Sequence, residues 1–137
     1  MEDDPLSGLP HGSSFRFVDR IVEYVPGVKV VALKNVTCGE PQLARQLPDR
    51  RGMPFAFLVE AMTQAAGVLV STGEPTFLAQ LRNVRLRRPV MPGDRLTLEA
   101  RLLQRLGNLH RCDVTAKVGD ETACRAEIVL SVGVDPP

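Results

Sequence analysis

Two polar side chains that could do chemistry, Glu60 and Gln64, interrupt the most apolar helical stretch of this sequence. Between residues 55 and 70, only four positions are not apolar: Glu60, Thr63, Gln64 and Gly67. Residues at i and i+4 share one face of a helix, so the carboxylate of Glu60 and the amide of Gln64 are neighbours. A carboxyl group among apolar side chains favours its protonated form, which suits a general acid near neutral pH. The pair therefore predicts an acid-base site on this helix.

The helix face that carries Glu60 and Gln64, here called the stripe, also allows a structural interpretation. In that interpretation, the stripe is the solvent-facing side of an amphipathic helix. Gly67 and Ser71 continue the stripe at i+7 and i+11 from Glu60. The stripe contains no Lys or Arg, although the exposed face of a surface helix is usually rich in charged residues. The residues alone leave both interpretations open.

The remaining elements predict a sheet that positions this helix. Runs rich in Val and Ile flank Pro26-Gly27, a pair that suits the central positions of a type II turn, and predict a hairpin. Pro54 suits the first turn of the helix over 55–70. Four strand candidates follow it, in "FLAQLRNVRLRRPVMPGDRL" up to Pro92-Gly93, over 96–102, over 112–118 and in "TACRAEIVLSVGV". The pattern predicts an α+β fold in which an antiparallel sheet of about six strands wraps around one long helix.

Composition limits the class of protein. The 137 residues, of which 44% are hydrophobic, suit one domain over 1–137, and we expect 1–8 to form a flexible N-terminal tail. With 17 basic and 16 acidic residues the net charge is +1, so no strong field attracts nucleic acid or an anionic membrane. The weakly charged stretch over 52–81 is too polar to span a bilayer. We therefore expect neither nucleic acid nor membrane as a partner.

The cysteines and the N-terminal sequence indicate an intracellular setting. Cys38, Cys112 and Cys124 are odd in number, far apart and without metal-ligand spacing, so reduced thiols fit better than disulfides. The start "MEDDPLSGLPHG" is acidic and lacks the apolar region of a secretory signal. We expect a cytoplasmic protein without a metal ion or a bound cofactor.

Three further segments of the sequence stand out, "LPHG…FVDRIVEYVPGVKVVALKNVT", "LPDRRGMPFAFLVEAMTQAAGVL" and "RLRRPVMPGDRL". Together they resemble a known family, the (3R)-hydroxyacyl-acyl-carrier-protein dehydratases of fatty-acid synthesis. The resemblance covers roughly Leu9 to Val132, and its most specific parts are "EAMTQAAG" and "RRPVMPGD". It implies the hot-dog fold, and a homodimer or higher even oligomer with two active sites at the interface. It also implies a substrate that is an acyl thioester on acyl carrier protein or coenzyme A.

The resemblance implies a role for each polar residue of the site. Glu60 matches the helix carboxylate that handles the leaving hydroxyl group, with Gln64 beside it. The His that serves the family as general base lies 14 positions earlier, where this chain has Gln46. An amide donates and accepts hydrogen bonds but does not take up a proton at pH 7. General-base assistance contributes about 10²- to 10⁴-fold, so we expect weak or altered dehydration.

Substrate contacts are expected at the helix start and on an arginine-rich strand. Met53, Pro54 and Phe55 replace the family's "MPG" by "MPF", which keeps a backbone N–H for the thioester oxygen while the Phe side chain narrows the pocket. Arg85 and Arg88 precede "PVMPGD" and would attract an acidic carrier or a phosphate. Arginines are also common on outward strand faces, so a solvated face is the alternative.

Two other functions fit the same pocket. Other hot-dog proteins hydrolyse acyl thioesters with a helix Glu or Asp and a nearby Gln or Asn, which resembles the combination of Glu60 with Gln46. A partner subunit without catalytic activity, which pairs with an active homologue or holds an acyl carrier, would also need this pocket. The sequence leaves a dehydratase, a thioesterase and a partner subunit open, with the dehydratase preferred.

Replacing Gln46 by His distinguishes these functions. In a dehydratase site that lacks only its base, Gln46→His restores a proton acceptor and raises enoyl-thioester hydration by about tenfold or more. If Gln46 instead positions water for hydrolysis, the same change lowers thiol release and creates no hydration. Both rates are measured on one variant, and a variant unchanged in both would favour the partner subunit.

Overall fold

Two strands, one helix and four further strands follow one another in the computed structural model, which describes residues 18–37 and 52–133. The elements are β1 (Arg20–Val25), β2 (Lys29–Asn35), α1 (Phe55–Val70), β3 (Thr76–Leu86), β4 (Arg95–Leu106), β5 (Leu109–Val118) and β6 (Glu121–Val132). The predicted order of elements is confirmed. The expected tail over 1–8 lies outside the described residues.

All six strands form one antiparallel sheet in the order β1-β2-β4-β5-β6-β3. Alternate residues of the central strands are buried, as in Leu96, Leu98 and Ala100 of β4, and α1 packs on this face against β2, β4, β5 and β6. The other alternate residues form the outer face, which we define as the sheet face turned away from α1. The predicted sheet around one helix is therefore confirmed.

The first hairpin forms at the predicted turn. The Val28 N–H donates to the Val25 carbonyl oxygen at 2.9 Å, which closes the turn over Pro26-Gly27. Gly27 has φ +72°, the conformation that a type II turn requires at its third residue. β1 and β2 pair on either side of it. Local turn chemistry thus sets the register of this hairpin.

The helix has the predicted bounds, Phe55 to Val70. Its nine buried residues, which form much of the core, are Leu58, Ala61, Met62, Gln64, Ala65, Ala66, Val68, Leu69 and Val70. Pro54 is the N-cap residue rather than part of the first turn, and its carbonyl oxygen accepts from the Leu58 N–H at 3.2 Å. Burial on the sheet, rather than capping side chains, stabilises this helix.

The strand expected to reach Pro92-Gly93 ends earlier, at Leu86, so this boundary was wrong. Pro89 and Pro92 have no N–H to donate to a neighbouring strand, which makes continued pairing unfavourable. The chain turns instead, with the Asp94 N–H donating to the Met91 carbonyl oxygen at 3.0 Å. The resulting segment over 87–94, which we name the proline loop, connects β3 to β4.

The proline loop supports the start of α1. The Met53 N–H donates to the Val90 carbonyl oxygen at 2.6 Å. Gly52 has φ +120°, and a Cβ atom added there would lie 3.0 Å from the same oxygen and 3.3 Å from Sδ of Met91. The close approach and the backbone conformation both require glycine.

No described helix is long and apolar enough to cross a membrane.

A side chain at Gly52 should therefore loosen the anchor of the helix. We expect Gly52→Ala to lower the free energy of unfolding by about 1–3 kcal/mol, because it adds strain at a positive φ and crowds Val90. Gly27→Ala is the matched control, since Gly27 also has a positive φ but no atom within 4 Å of an added Cβ. Denaturant unfolding measures both variants. Equal losses would show that the contact with the proline loop has no effect of its own.

Candidate functional site

The predicted pair on the helix is in direct contact. Nε2 of Gln64 donates a hydrogen bond to Oε1 of Glu60 at 3.2 Å. Gln64 is buried, with 2% of its surface exposed, and Glu60 is half-buried. The expected placement of carboxylate and amide on one helical face is therefore confirmed, and the buried amide orients the carboxylate.

One side of α1 is not covered by the sheet. Its half-buried or exposed members after the first residue are Ala56, Phe57, Val59, Glu60, Thr63 and Gly67. We name the narrow strip formed by Ala56, Glu60, Thr63 and Gly67 the open face. These residues are mostly small, and Glu60 is the single charge among them. A surface of this kind does not resemble an ordinary solvated helix face, and it fits the wall of a pocket for an apolar ligand with one polar group.

Thr63 is a polar residue of the open face to which the sequence analysis assigned no role. Its Oγ1 atom is buried and makes no hydrogen bond with any described residue. The signal in the sequence was its position three residues after Glu60, which places both on one face of the helix.

The start of the helix brings three predicted substrate-binding residues together. Met53 is buried, Pro54 is half-buried and Phe55 has 44% of its surface exposed. The first N–H groups of a helix have no acceptor within the helix, and they lie at the positive end of its dipole. Glu60 follows Phe55 by five positions, which corresponds to a rise of about 7.5 Å along the helix. A donor group and a carboxylate thus lie on one helix, within the length of a small acyl thioester.

The predicted role of Gln46 falls outside the described residues, and so does any contact between Gln46 and Glu60. His110, the histidine of the described residues, is the second residue of β5. It is buried and its Nδ1 lies 3.3 Å from the Asn108 carbonyl oxygen. This contact ties His110 to the neighbouring turn and gives it a structural role.

Arg88 is held by two carboxylates of its own chain. Its guanidinium lies 3.4 Å from Asp94 Oδ2 and 3.3 Å from Glu121 Oε2. Asp94 Oδ2 also accepts from the Met91 N–H at 2.8 Å, inside the proline loop. Arg88 therefore connects that loop to the start of β6 and, through the loop, supports the start of α1.

Arg85 does not lie on the side of the sheet that packs against α1. It pairs across β3 and β6 with Arg125, whose chain neighbours Cys124 and Ala126 face the core. Since cross-strand partners share a face, Arg85 lies on the outer face. There it lines a cleft with Arg125 and Asp113, which are joined by two hydrogen bonds of 3.0 and 2.9 Å.

The thiols of the described residues do not supply a nucleophile. Burial raises the pKa of the Cys112 thiol to about 12. Burial also raises the pKa of Cys124, and a hydrogen bond with the Arg125 backbone opposes this only in part. Since the thiolate is the reactive form, both side chains are inert near neutral pH. The carboxylate of Glu60 is left as the reactive group of the open face.

Comparison with known proteins identifies the family. The model of the FabA-like domain matches residues 9–127, which is most of the chain. The chain therefore belongs to the FabA-like family, and the resemblance found in the sequence is confirmed. The hot-dog fold that it implied is confirmed as well, by the six-stranded sheet around one helix.

Two relatives carry the same name, 3-hydroxyacyl-[acyl-carrier-protein] dehydratase FabZ. The protein from Psychromonas ingrahamii is 39% identical over 130 residues, covering 90% of this chain and 87% of its own. The protein from Paracidovorax citrulli is 38% identical over 135 residues, covering 93% and 92%. This chain thus matches these dehydratases over nearly their whole length.

Solved structures with lower identity share the fold. The dehydratase heterocomplex ApeI:P from Xenorhabdus doucetiae has a TM-score of 0.82 at 17% identity, covering 98% of this chain and 94% of its own. A hypothetical thioesterase from Streptococcus pneumoniae, solved with coenzyme A, has a TM-score of 0.69 at 17% identity, covering 86% and 88%. At this identity the likeness extends to the fold alone.

The ion pairs of Arg88 lead to a prediction that distinguishes two roles of this residue. Arg88 either stabilises the proline loop or binds the acyl carrier. Arg88→Met should lower the free energy of unfolding by about 1 kcal/mol, because it leaves Asp94 and Glu121 unpaired at a partly exposed site. Arg85→Met, the matched control on the exposed outer face, should leave stability unchanged. Chemical denaturation measures both. A weaker affinity for acyl carrier protein in Arg88→Met, without any loss of stability, would contradict the structural role.

Proposed function

We propose that this protein binds 3-hydroxyacyl thioesters and catalyses the slow, reversible loss of water from them. The observation that carries the proposal is the hydrogen bond from Gln64 to Glu60 on the open face. Membership of the FabA-like family and the names of the two relatives support the reaction class. The substrate is an acyl thioester on acyl carrier protein or coenzyme A.

Glu60 acts on the leaving hydroxyl group. In the dehydration, a proton leaves C2 of the acyl chain, the C3–O bond breaks, a C2=C3 double bond forms and the oxygen departs as water. Breaking the C3–O bond is easier when an acid protonates the oxygen. Gln64 holds Oε1 of Glu60, and the proposal assigns Oε2 to the substrate hydroxyl. The half-buried position of Glu60 excludes part of the solvent that would otherwise compete for this proton.

The helix start polarises the thioester. Backbone N–H groups at Phe55 and the next residue would donate to the carbonyl oxygen, on which negative charge develops when the C2 proton leaves. Met53 and Pro54 shape the wall beside it, and the Phe55 ring covers the acyl chain. The proline loop fixes these donors through the hydrogen bond between Met53 and Val90.

Removal of the C2 proton is the slow step in this proposal. Gln46 stands where the family has its base, and an amide does not accept the proton. Without general-base assistance, water must take the proton, at a cost of about 10²- to 10⁴-fold in rate.

Arg85 and Arg88 remain proposed docking residues for the carrier. Arg85 is exposed and makes no ion pair with a described residue, so its charge is available to a phosphate or an acidic surface. Arg88 already binds Asp94 and Glu121, and its contribution to docking is accordingly smaller. A cytoplasmic location is also part of the proposal, and the free, buried Cys112 and Cys124 suit a reducing compartment.

Two further functions remain alternatives. The structural neighbour solved with coenzyme A is a hypothetical thioesterase, which fits hydrolysis by Glu60 with Gln46. The neighbour ApeI:P is a dehydratase heterocomplex, which fits a partner subunit paired with an active homologue. Parallel assays of enoyl-thioester hydration and of thiol release separate the two enzymes. A chain inactive in both that still binds acyl carrier protein is the partner subunit.

Self-association of the chain is also part of the proposal. β3 lies at one end of the sheet, and its outer edge pairs with no strand of the described chain. Such an edge, eleven residues long, readily pairs with another strand. Leu78 and Leu86 on this strand are exposed, with 45% and 52% of their surfaces in contact with solvent. Pairing of two β3 edges would join the sheets of two copies and cover these side chains.

We therefore expect a homodimer or a higher even oligomer. Ultracentrifugation should give a mass of at least twice the 15.0 kDa of one chain, stable on dilution. Arg82→Pro, placed in the middle of β3, should weaken the association, because proline removes a donor from the strand. A wild-type protein that sediments as a monomer at all concentrations would refute the dimer.

The role of Glu60 is tested by Glu60→Gln, which keeps the shape of the side chain and removes its acid function. We expect hydration of an enoyl thioester to fall at least a hundredfold, while the denaturation midpoint stays within error. Glu99→Gln is the matched control, since Glu99 lies on the outer face and pairs with Arg101. Equal rates for wild type and Glu60→Gln would show that Glu60 takes no part in the reaction.

A further inference from the structure

The hydroxyl group of Thr63 is buried without a partner. Its Oγ1 atom is shielded from solvent and makes no hydrogen bond within the described part of the chain. Most buried polar atoms in folded proteins are hydrogen-bonded, so an exception calls for an explanation. A hydroxyl group has both a donor and acceptor sites, and none of them is used within residues 18–37 and 52–133.

The position of Thr63 places its side chain on the helix face of the candidate site. Thr63 follows Glu60 by three residues and precedes Gly67 by four, so all three lie on the open face of α1. Side chains at i and i+3 are about 5–6 Å apart at their Cβ atoms, close enough for one small ligand group to contact both. Gly67 adds no side chain beyond Thr63, which leaves the strip shallow enough for an acyl chain.

The substrate of the proposed function has a group that matches this hydroxyl. Its 3-hydroxyl donates one hydrogen bond and accepts others, and so does Thr63. Glu60 must approach the same oxygen to protonate it. To reach the Thr63 hydroxyl, which is shielded here, the substrate requires a rotation of this side chain about χ1, and Thr in a helix populates two χ1 rotamers. Two polar groups on one helix face can then hold one substrate hydroxyl, Glu60 as the acid and Thr63 as its neighbour.

We propose that the Thr63 hydroxyl binds the 3-hydroxyl group of the acyl chain and makes the site select 3-hydroxyacyl over saturated acyl thioesters of equal length. The inference rests on the proposed function, because it assumes that the acyl chain lies on the open face. Thr63 becomes a specificity-determining residue. A saturated chain leaves the Thr63 hydroxyl unpaired, whereas a 3-hydroxyacyl chain satisfies it, and a site built to hydrogen-bond a hydroxyl discriminates against the analogue that lacks it.

The test compares two ligands that do not react. They are amide analogues of 3-hydroxyoctanoyl-coenzyme A and octanoyl-coenzyme A, in which nitrogen replaces the thioester sulfur and prevents both hydrolysis and dehydration. Calorimetry on the full-length protein gives both affinities. We expect Thr63→Val to weaken binding of the hydroxylated analogue by about fivefold to tenfold and to leave binding of the saturated analogue unchanged.

Two variants serve as controls. Thr63→Ser keeps the hydroxyl and should retain the preference for the hydroxylated analogue. Thr115→Val makes the same chemical change at a half-buried residue of β5 on the outer face and should alter neither affinity. Thr63→Val should be at least as stable as wild type, because it removes an unpaired buried hydroxyl.

Several results would overturn the inference. One is a Thr63→Val variant that binds both analogues as wild type does, or that binds both more weakly by the same factor. A loss of stability or of self-association in Thr63→Val, reversed in Thr63→Ser, would show that the hydroxyl serves the protein itself. If wild type binds neither analogue, the proposed function fails together with the inference, whereas binding of both without discrimination overturns the inference alone.

Discussion

The hydrogen bond between Gln64 and Glu60 places a carboxylate on a helix that is otherwise built to be buried. α1 is apolar around most of its circumference, and nine of its residues are buried. A charged group in such a helix is unfavourable unless it is paired or reaches solvent. The buried amide of Gln64 meets the first condition and the open face meets the second. The arrangement keeps one polar group at the edge of an apolar core, where an acyl chain could meet it.

The start of α1 depends on a second constraint, its contact with the proline loop. Gly52 allows the backbone to approach Val90, and the Met53 N–H donates to the Val90 carbonyl oxygen. Arg88 holds the same loop to β6 through Asp94 and Glu121. The motifs around Glu60 and the proline loop are far apart in sequence but meet here. The loop therefore holds the start of α1, where the free N–H donors lie, in place.

The sequence predicted those features that depend on local chemistry. Alternation of apolar residues predicted the strands, and the turn residues Pro26-Gly27 predicted the first hairpin. The spacing of Glu60 and Gln64 predicted the contact between their side chains. The end of β3 was predicted too far along the chain. The prediction used the pattern of side chains, which takes no account of the backbone N–H groups that Pro89 and Pro92 lack. The partners of Arg88 and the unpaired hydroxyl of Thr63 depend on packing between distant segments, which spacing along the chain does not encode.

The central claim is that the acyl chain of a thioester lies on the open face of α1. A crystal structure with the amide analogue of a 3-hydroxyacyl thioester bound tests this claim most directly. The account predicts the 3-hydroxyl within hydrogen-bonding distance of the Glu60 carboxyl, about 2.5–3.2 Å, and the amide carbonyl oxygen at the start of the helix near Phe55. An analogue seated in a cleft of the outer face, with the open face of α1 in contact with solvent alone, would contradict it.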